Sequence, residues 1–269
     1  MNTQVDFESI DIGFGTSPLK GREAASAVAA SIEAGYILID TATRYENERA
    51  VGEGIRASGI AREDVIIQTK LRGNDHGRVR EALEESLSEL GVDYIDVWMI
   101  HWPLPMLGLY ASAFEEMAKA QDAGLVRTIG VSNFLPEHLD TIRKETGLVP
   151  AVNQIHVDPG IHQAELRHEL ERRGIAIQAW SPLSKGADLL EKKPIVAAAH
   201  AHGITPAQAI LAWHRTIGTI PIVRSTSEKR RRLNLEAVQV ELTDAEVSAI
   251  LALPQRPLGD WDPATRDER

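Results

Sequence analysis

The chain has 269 residues, a formal net charge of −10, a pI near 5.4, 43% apolar and 25% charged residues, and no cysteine. The acidic balance argues against a nucleic acid or an anionic membrane as partner, and the missing thiols exclude disulfides, thiolate metal sites and a cysteine nucleophile. The opening MNTQVDFESIDIGFG lacks the basic region and apolar core of a signal peptide, and no apolar run reaches membrane-spanning length, so the sequence reads as a soluble cytoplasmic protein.

No low-complexity segment, charge block or Pro/Gly/Ser linker divides the chain, so residues 1–269 read as one domain. Short apolar runs alternate with helical patterns. Residues 11–16 form a first strand ending in Gly13-Phe14-Gly15-Thr16, and the alanine-rich stretch 22–34 is helical and stopped by Gly35. Residues 37–40 make a second strand that ends in Asp40, with Tyr45 five positions on and a helix over 46–58. A carboxylate at the mouth of a buried strand is costly unless something cationic meets it. The third strand, 65–69, is followed at once by Lys70. Val79, Leu83, Leu87 and Leu90 fall at helical spacing before Gly91. Strand four, 94–100, ends at His101-Trp102-Pro103, and a helix over 111–123 follows. Strand five, 127–131, ends at Ser132-Asn133, and Leu135, Leu139 and Ile142 mark the next helix. Strand six covers 151–155, with a helix over 164–173; strand seven, 175–179, ends at Trp180-Ser181-Pro182. A longer loop, 183–193, precedes a helix from Pro194 to about His202. Thr205-Pro206-Ala207-Gln208 is a capping box that opens the next helix. Strand eight, 219–223, and helices over 227–237 and 243–251 complete the pattern. The tail 254–269 reads as irregular, and the part around Trp261 is expected to overhang the pocket.

Eight strand–helix units with short connections predict a (β/α)8 TIM barrel with extra helices near the C-terminus. A doubly wound sheet is the alternative, but no G-x-G-x-x-G follows any strand. The C-terminal strand ends of such a barrel form its active face, and here they carry Asp40, Lys70, His101, Ser132, Asn133, Gln154, Trp180 and Arg224. Singly, each is unremarked: a lysine after a strand is usually solvated, an aspartate there caps a helix or forms a turn, and a histidine beside Trp102 is usually packed. Converging on one rim, they make a site. His200 and His202 would point to different faces of one helix, so no metal site is expected.

In order, Asp40 with Tyr45, Thr69-Lys70, Ile100-His101-Trp102-Pro103, Val131-Ser132-Asn133-Phe134, Asn153-Gln154 and Ala179-Trp180-Ser181-Pro182-Leu183 resemble the aldo-keto reductase superfamily over nearly the whole chain. Within it, the chain looks closest to bacterial 2,5-diketo-D-gluconate reductase-like enzymes. The resemblance implies reduction of aldehydes or ketones by a tetrad of Asp40, Tyr45, Lys70 and His101. Tyr45 would deliver the proton. A free phenol has a pKa of about 10, too high for efficient transfer near neutrality; Lys70 beside it would favour the phenolate, and burial of the phenol would oppose part of that. Two unit charges at about 4 Å interact by about 4 kcal/mol at an effective dielectric of 20. Asp40 would keep Lys70 charged and oriented, His101 would orient the carbonyl, and Trp102 and Ser17 would line the substrate pocket.

The same resemblance implies NADP(H) stretched across the barrel mouth. Ser132, Asn133 and Gln154 would bond the carboxamide, Trp180 would stack on the nicotinamide, and Ser181 and Leu183 would meet the pyrophosphate. Thr16 and Asn234 join the cofactor-binding set. Arg224, Ser225 and Arg230 align with the 2′-phosphate clamp, where guanidinium groups suit phosphate. Otherwise the run from Lys229 to Arg232 is a solvated basic patch. The expected partner is a small-molecule carbonyl, a polar keto-sugar or dicarbonyl, met by a monomer without nucleic acid or membrane. A non-catalytic NADP(H)-binding regulatory subunit on the same fold is the alternative. Five positions depart from the family pattern: Ser17 stands where an aromatic is common, Val223 where proline is usual, Leu233 where a glutamate often sits, and His156 with Asp158 where Glu and His are typical.

Overall fold

The computed structural model describes residues 4–184 and 188–268. The buried apolar runs become eight parallel strands that close into a barrel in chain order. They are β1 (Gly13–Gly15), β2 (Leu38–Asp40), β3 (Ile66–Leu71), β4 (Ile95–Ile100), β5 (Val126–Ser132), β6 (Val152–His156), β7 (Ala176–Trp180) and β8 (Ile220–Val223). β1 pairs with both β2 and β8, which closes the ring. The helices between and after them are α1 (Gly21–Ala34), α2 (Glu48–Ser58), α3 (Val79–Leu90), α4 (Tyr110–Asp122), α5 (Pro136–Thr146), α6 (Ala164–Arg172), α7 (Lys193–Ala201), α8 (Pro206–Thr216), α9 (Glu228–Ala237) and α10 (Asp244–Leu251). Two helices, α7 and α8, separate β7 from β8, and α9 and α10 follow the last strand. This is the expected (β/α)8 barrel with added helices.

Most boundaries fall within two residues of the sequence reading, and two of the differences bear on the site. Lys70 and Ser132 lie inside β3 and β5, not beyond them. The helix expected from residue 46 begins at Glu48, because Thr43–Tyr45 winds as a 3-10 turn and Glu46 takes a left-handed φ of 50°. Part of the expected loop 183–193 lies outside the described residues; Asp188–Glu191 forms a 3-10 turn within it.

The barrel interior is layered. Its floor is apolar: Ile10, Leu38, Ile220 and Ile222 on one side and Val97, Met99 and Val152 on the other meet Val5 and Phe7 of the N-terminal segment. Burying each such side chain contributes roughly 1.5–3 kcal/mol. The segment is pinned where Val5 N–H donates to the buried Thr128 Oγ1 at 2.8 Å. At this narrow level a Cβ on Gly13 would lie 2.6 Å from Ile222 Cδ1 and 2.8 Å from Leu38 Cδ2, so any other residue would force those side chains to shift.

Above the floor the interior turns polar. Asp40 stands beside Gln68, and Gln154 beside Gln178, in the strand register. Gln68 and Gln178 exchange amide hydrogen bonds at 2.8 Å each way, and Gln154 Nε2 donates to Gln178 Oε1 at 2.9 Å. Buried amides are tolerated only when bonded in this way. Alternation along β3 then turns Lys70 inward one layer above Gln68, while Thr69 faces outward and donates to the buried Glu48 at 2.6 Å.

Candidate active site

Lys70 Nζ donates to Asp40 Oδ1 at 2.6 Å and to Thr41 O at 2.9 Å. Its side chain is 0% exposed and that of Asp40 4%. The same aspartate oxygen accepts from Gln68 Nε2 at 2.6 Å and Gln154 Nε2 at 3.0 Å. Three donors on one oxygen satisfy a carboxylate that is cut off from water. An ammonium has three protons, and Asp40 and Thr41 take two of them. Burial lowers the Lys70 pKa, and the Asp40 charge and hydrogen bond oppose that.

Nζ of Lys70 lies 5.2 Å from the centre of the Tyr45 ring, and the Tyr45 and His101 rings meet edge to face at 5.7 Å. So the acid, the lysine, the phenol and the imidazole expected from three separate stretches converge at the C-terminal mouth. One expectation meets an opposing environment. Enclosure, then the carboxylates of Asp40 and Glu268, push the Tyr45 phenol well above its ordinary pKa, against the lowering expected from Lys70. The phenol therefore keeps its proton at neutral pH.

The tail, read as irregular, winds one 3-10 turn over Gly259–Trp261 and crosses this mouth. Trp261 stacks on Trp102 at 6.2 Å, so the expected pocket wall is itself covered. Arg266 lies over the Trp261 ring at 4.4 Å and the Trp102 ring at 5.6 Å. Beyond it, Glu268 reaches the interior: Oε1 lies 2.7 Å from His101 Nδ1, and the glutamate side chain is 5% exposed. Nothing in the sequence around Glu268 marks it out, since it has no periodicity or motif. Ser17 is exposed at the rim, in the loop after β1.

The residues expected at the cofactor lie along the mouth from β5 to α9. Asn133 has a left-handed φ of 63° and Ser181 of 53°. A non-glycine residue rarely adopts that conformation, and such strain collects at functional sites. Asn133 Nδ2 donates to His101 O at 3.1 Å and to Ser132 Oγ at 3.0 Å, and its Oδ1 accepts from Trp180 Nε1 at 2.8 Å. Ser132 Oγ donates to Gln154 O at 2.9 Å. These side chains thus brace one another. Thr16 Oγ1 donates to Asp40 O at 3.1 Å, and Leu183 packs against the main core.

His156 and Asp158, the departures from the family pattern, form a unit. The His156 ring stacks on Trp180 at 4.1 Å, and its Nε2 lies 3.0 Å from Asp158 Oδ2. Arg256 Nη2 donates to the same oxygen at 2.5 Å, and Gly160 N–H donates to Oδ1 at 2.7 Å. Burial works against the Asp158 charge, but His156, Gly160 and Arg256 outweigh it and hold the carboxyl below its usual range.

Past β8, Arg224 is exposed and Ser225 buried. Arg230 Nε donates to Ser225 Oγ at 3.2 Å, and Ser227 caps α9 by accepting from Arg230 N–H at 3.4 Å. These are the residues expected at the 2′-phosphate, beside the N-terminus of α9. Asn234 is buried, and the nearby Tyr36 hydroxyl donates to Arg231 O at 3.3 Å. Among the described residues no cluster of His, Asp or Glu could hold a metal ion, and no helix is long and apolar enough to cross a membrane. A separate hollow of about 280 Å³, lined by Arg167, Glu171, Ile175 and Ile217, lies at the N-terminal end of β7, away from the mouth.

An eight-stranded barrel with a buried Asp–Lys pair, a phenol and an imidazole at its C-terminal mouth is the frame of a barrel oxidoreductase. Residues 11–254 match the Aldo/keto reductase family, and the chain belongs to it. It is 42% identical over 258 residues to the 2,5-diketo-D-gluconic acid reductase B of Corynebacterium sp. (strain SHS752001), covering 95% of this chain and 93% of that one. An aldo/keto reductase from Brucella melitensis superposes with a TM-score of 0.86 at 39% identity, over 90% of this chain and 93% of the other. A Gox0644 variant solved in complex with NADPH superposes with a TM-score of 0.90 at 34% identity, over 96% and 94%.

Proposed function

We propose that the protein reduces an aldehyde or ketone to an alcohol at the expense of NADPH, with Tyr45 as proton donor. The observation that carries the reading is the Asp40–Lys70 pair, 2.6 Å apart and fully buried, set beside Tyr45 and His101. A bound nicotinamide supplies hydride to the carbonyl carbon. This chain's residues do the rest. His101 holds the carbonyl oxygen, Tyr45 gives its proton to that oxygen as charge develops, and Lys70 stabilises the phenolate left behind. Hydride and proton together turn C=O into CH–OH. The raised phenol pKa keeps Tyr45 protonated until that moment. Asp40, held by Lys70, Gln68 and Gln154, keeps the ammonium in place.

The cofactor reading rests on Arg224, Arg230 and the α9 N-terminus, which fit a 2′-phosphate, and on the row from Ser132 and Asn133 through Gln154 to Trp180 and Ser181, which fits a nicotinamide nucleotide. The similar Gox0644 variant with NADPH supports the same choice. The substrate we favour is a polar keto-sugar or dicarbonyl, in keeping with the diketogluconic acid reductase relative and with the exposed Ser17 at the rim. We read the protein as a one-domain cytoplasmic monomer; the net charge of −10 fits the absence of a nucleic-acid partner.

The test is Tyr45→Phe. Turnover of an aldehyde with NADPH should fall by about 10²–10⁴, while NADPH still quenches tryptophan fluorescence as in the wild type. Unchanged turnover would sink the mechanism.

A further inference from the structure

We propose that Glu268, from the C-terminal tail, is a positioning residue for His101: its carboxylate holds the Nδ1 side of the ring and so aims Nε2 at the substrate carbonyl. This rests on the reading of His101 as the group that meets the carbonyl oxygen. Glu268 Oε1 and His101 Nδ1 are 2.7 Å apart, with side-chain exposures of 5% and 10%. The contact is made through Nδ1, which is enclosed, and Nε2 takes no protein partner among the described residues. A carboxylate on Nε2 would block the place of the carbonyl; on Nδ1 it leaves that place open.

The chemistry follows from the proton inventory. An ionised carboxylate only accepts, so the proton it meets is on Nδ1. With the carboxylate on the Nδ1 side, the ring cannot swing freely, and its Nε2 edge stays turned to the place of the carbonyl oxygen. Apart from this ion pair neither carboxylate oxygen has a hydrogen-bond partner among the described residues. The contact has ion-pair distance but not hydrogen-bond geometry, and Nδ1 has no hydrogen-bond partner either among the described residues.

The tail is held so that Glu268 arrives there. Arg256 is fixed on Asp158 at 2.5 Å and on Ser184 Oγ at 2.6 Å, and Gln255 Oε1 accepts from His162 N–H at 2.9 Å. Trp261 and Arg266 then stack over Trp102. At Gly73 a Cβ would stand 3.8 Å from Glu268 Oε2 and 2.3 Å from Leu104 Cδ1, so the floor of the seat is a glycine. The tail thereby closes the pocket and completes the histidine's support in one step.

The experiment compares the full-length wild type with Glu268→Ala and Glu268→Gln, using phenylglyoxal as the carbonyl probe and NADPH. Losing the outer partner of a metal-bound histidine typically costs 10–100-fold, and the same scale is taken for a histidine that must be aimed at a carbonyl. In Glu268→Ala, kcat should therefore fall by at least about tenfold, with KM for phenylglyoxal and the Kd for NADPH close to wild type. Glu268→Gln keeps an acceptor oxygen for Nδ1–H and should recover much of the loss. A chain ending at Asp267 should behave as Glu268→Ala does. An alanine variant that turns over as fast as wild type, or faster, overturns the proposal, the faster case marking the tail as a block. A fall in kcat accompanied by weaker NADPH binding also overturns it, since the tail would then be supporting the cofactor site. An inactive wild type defeats the reductase reading and this proposal with it, whereas an active wild type beside an indifferent Glu268→Ala defeats this proposal alone.

Discussion

Two buried aspartates on opposite rims of the barrel meet their cations in different ways. Asp96, near the start of β4 on the N-terminal rim, is held by Arg62 at 2.7 Å and Arg127 at 2.9 Å, and it accepts from Ile67 N–H at 2.9 Å. Both guanidiniums lie over the Tyr94 ring, at 3.9 and 4.2 Å, and both stay partly in water, at 23% and 30% exposure. Asp40, at the C-terminal mouth, has one cation, and that cation is wholly buried. At the lower rim two hydrated forks share the charge of one carboxylate, which costs little and holds three strands in place. At the upper rim the ammonium has lost its water, keeps one proton uncommitted to Asp40 or Thr41, and faces a phenol. The same pairing of charges is a clamp in one place and a chemical device in the other. Solvent access and the neighbouring groups decide which.

Removing the cation at the upper rim and the carboxylate's charge at the lower should separate the two roles. The largest effect is expected of Lys70→Met. It leaves the Asp40 carboxylate buried and unpaired, so urea unfolding should show a loss of about 3–5 kcal/mol, and turnover should fall by about 10²–10⁴ in whatever protein remains folded. A variant that lost stability yet kept its rate would dissolve the distinction between the rims. Asp96→Asn should cost about 3 kcal/mol at most in the same titration and leave kcat and KM at wild-type values. A fall in kcat there would mean that the lower clamp also shapes the mouth.

The smallest effect sharpens the comparison with a buried group that makes no ion pair among the described residues. His214 sits between Thr219 Oγ1 at 2.8 Å and Pro182 O at 3.4 Å, and burial depresses its pKa from 6.5 to about 3. A depressed histidine contributes stability that is present above the unfolded pKa and lost as pH falls toward the folded one, because the unfolded chain takes up the proton first. Between pH 6.5 and 5 that loss is about 2 kcal/mol. Unfolding free energies measured across this range for wild type and His214→Gln should differ in slope by about one proton. His76, depressed to about 4 by burial, leaves a residual slope in both. Parallel slopes would refute the assignment.

Much of this was legible before any fold was known. Asp40, Lys70 and His101 stood at or beside the ends of apolar runs, and Tyr45 five positions on, because a strand's period and a helix's caps are local signals. Gln68 and Gln178 were not legible as a pair. Each is one polar residue within a strand, and only closure of the ring brings the two amides within 2.8 Å. His156 and Asp158 were seen as departures without a meaning. Their meaning came from Trp180 on one side and Arg256 of the tail on the other. The direction of the Tyr45 shift was misjudged for a related reason. The lysine was visible in the sequence, but the depth of burial and the approach of Glu268 were not.

The sequence by itself determined the order of strands and helices, the barrel class and the residues at its mouth, because hydrophobic period, capping residues and strand-end polar groups act over a few positions. Only the tertiary structure decided how those residues behave. Protonation depends on lost water and on charges brought from distant parts of the chain, and both are properties of the closed barrel and its folded tail. Glu268 against His101 is the clearest case: two residues unrelated in sequence, made neighbours at 2.7 Å by the path of the tail across the mouth.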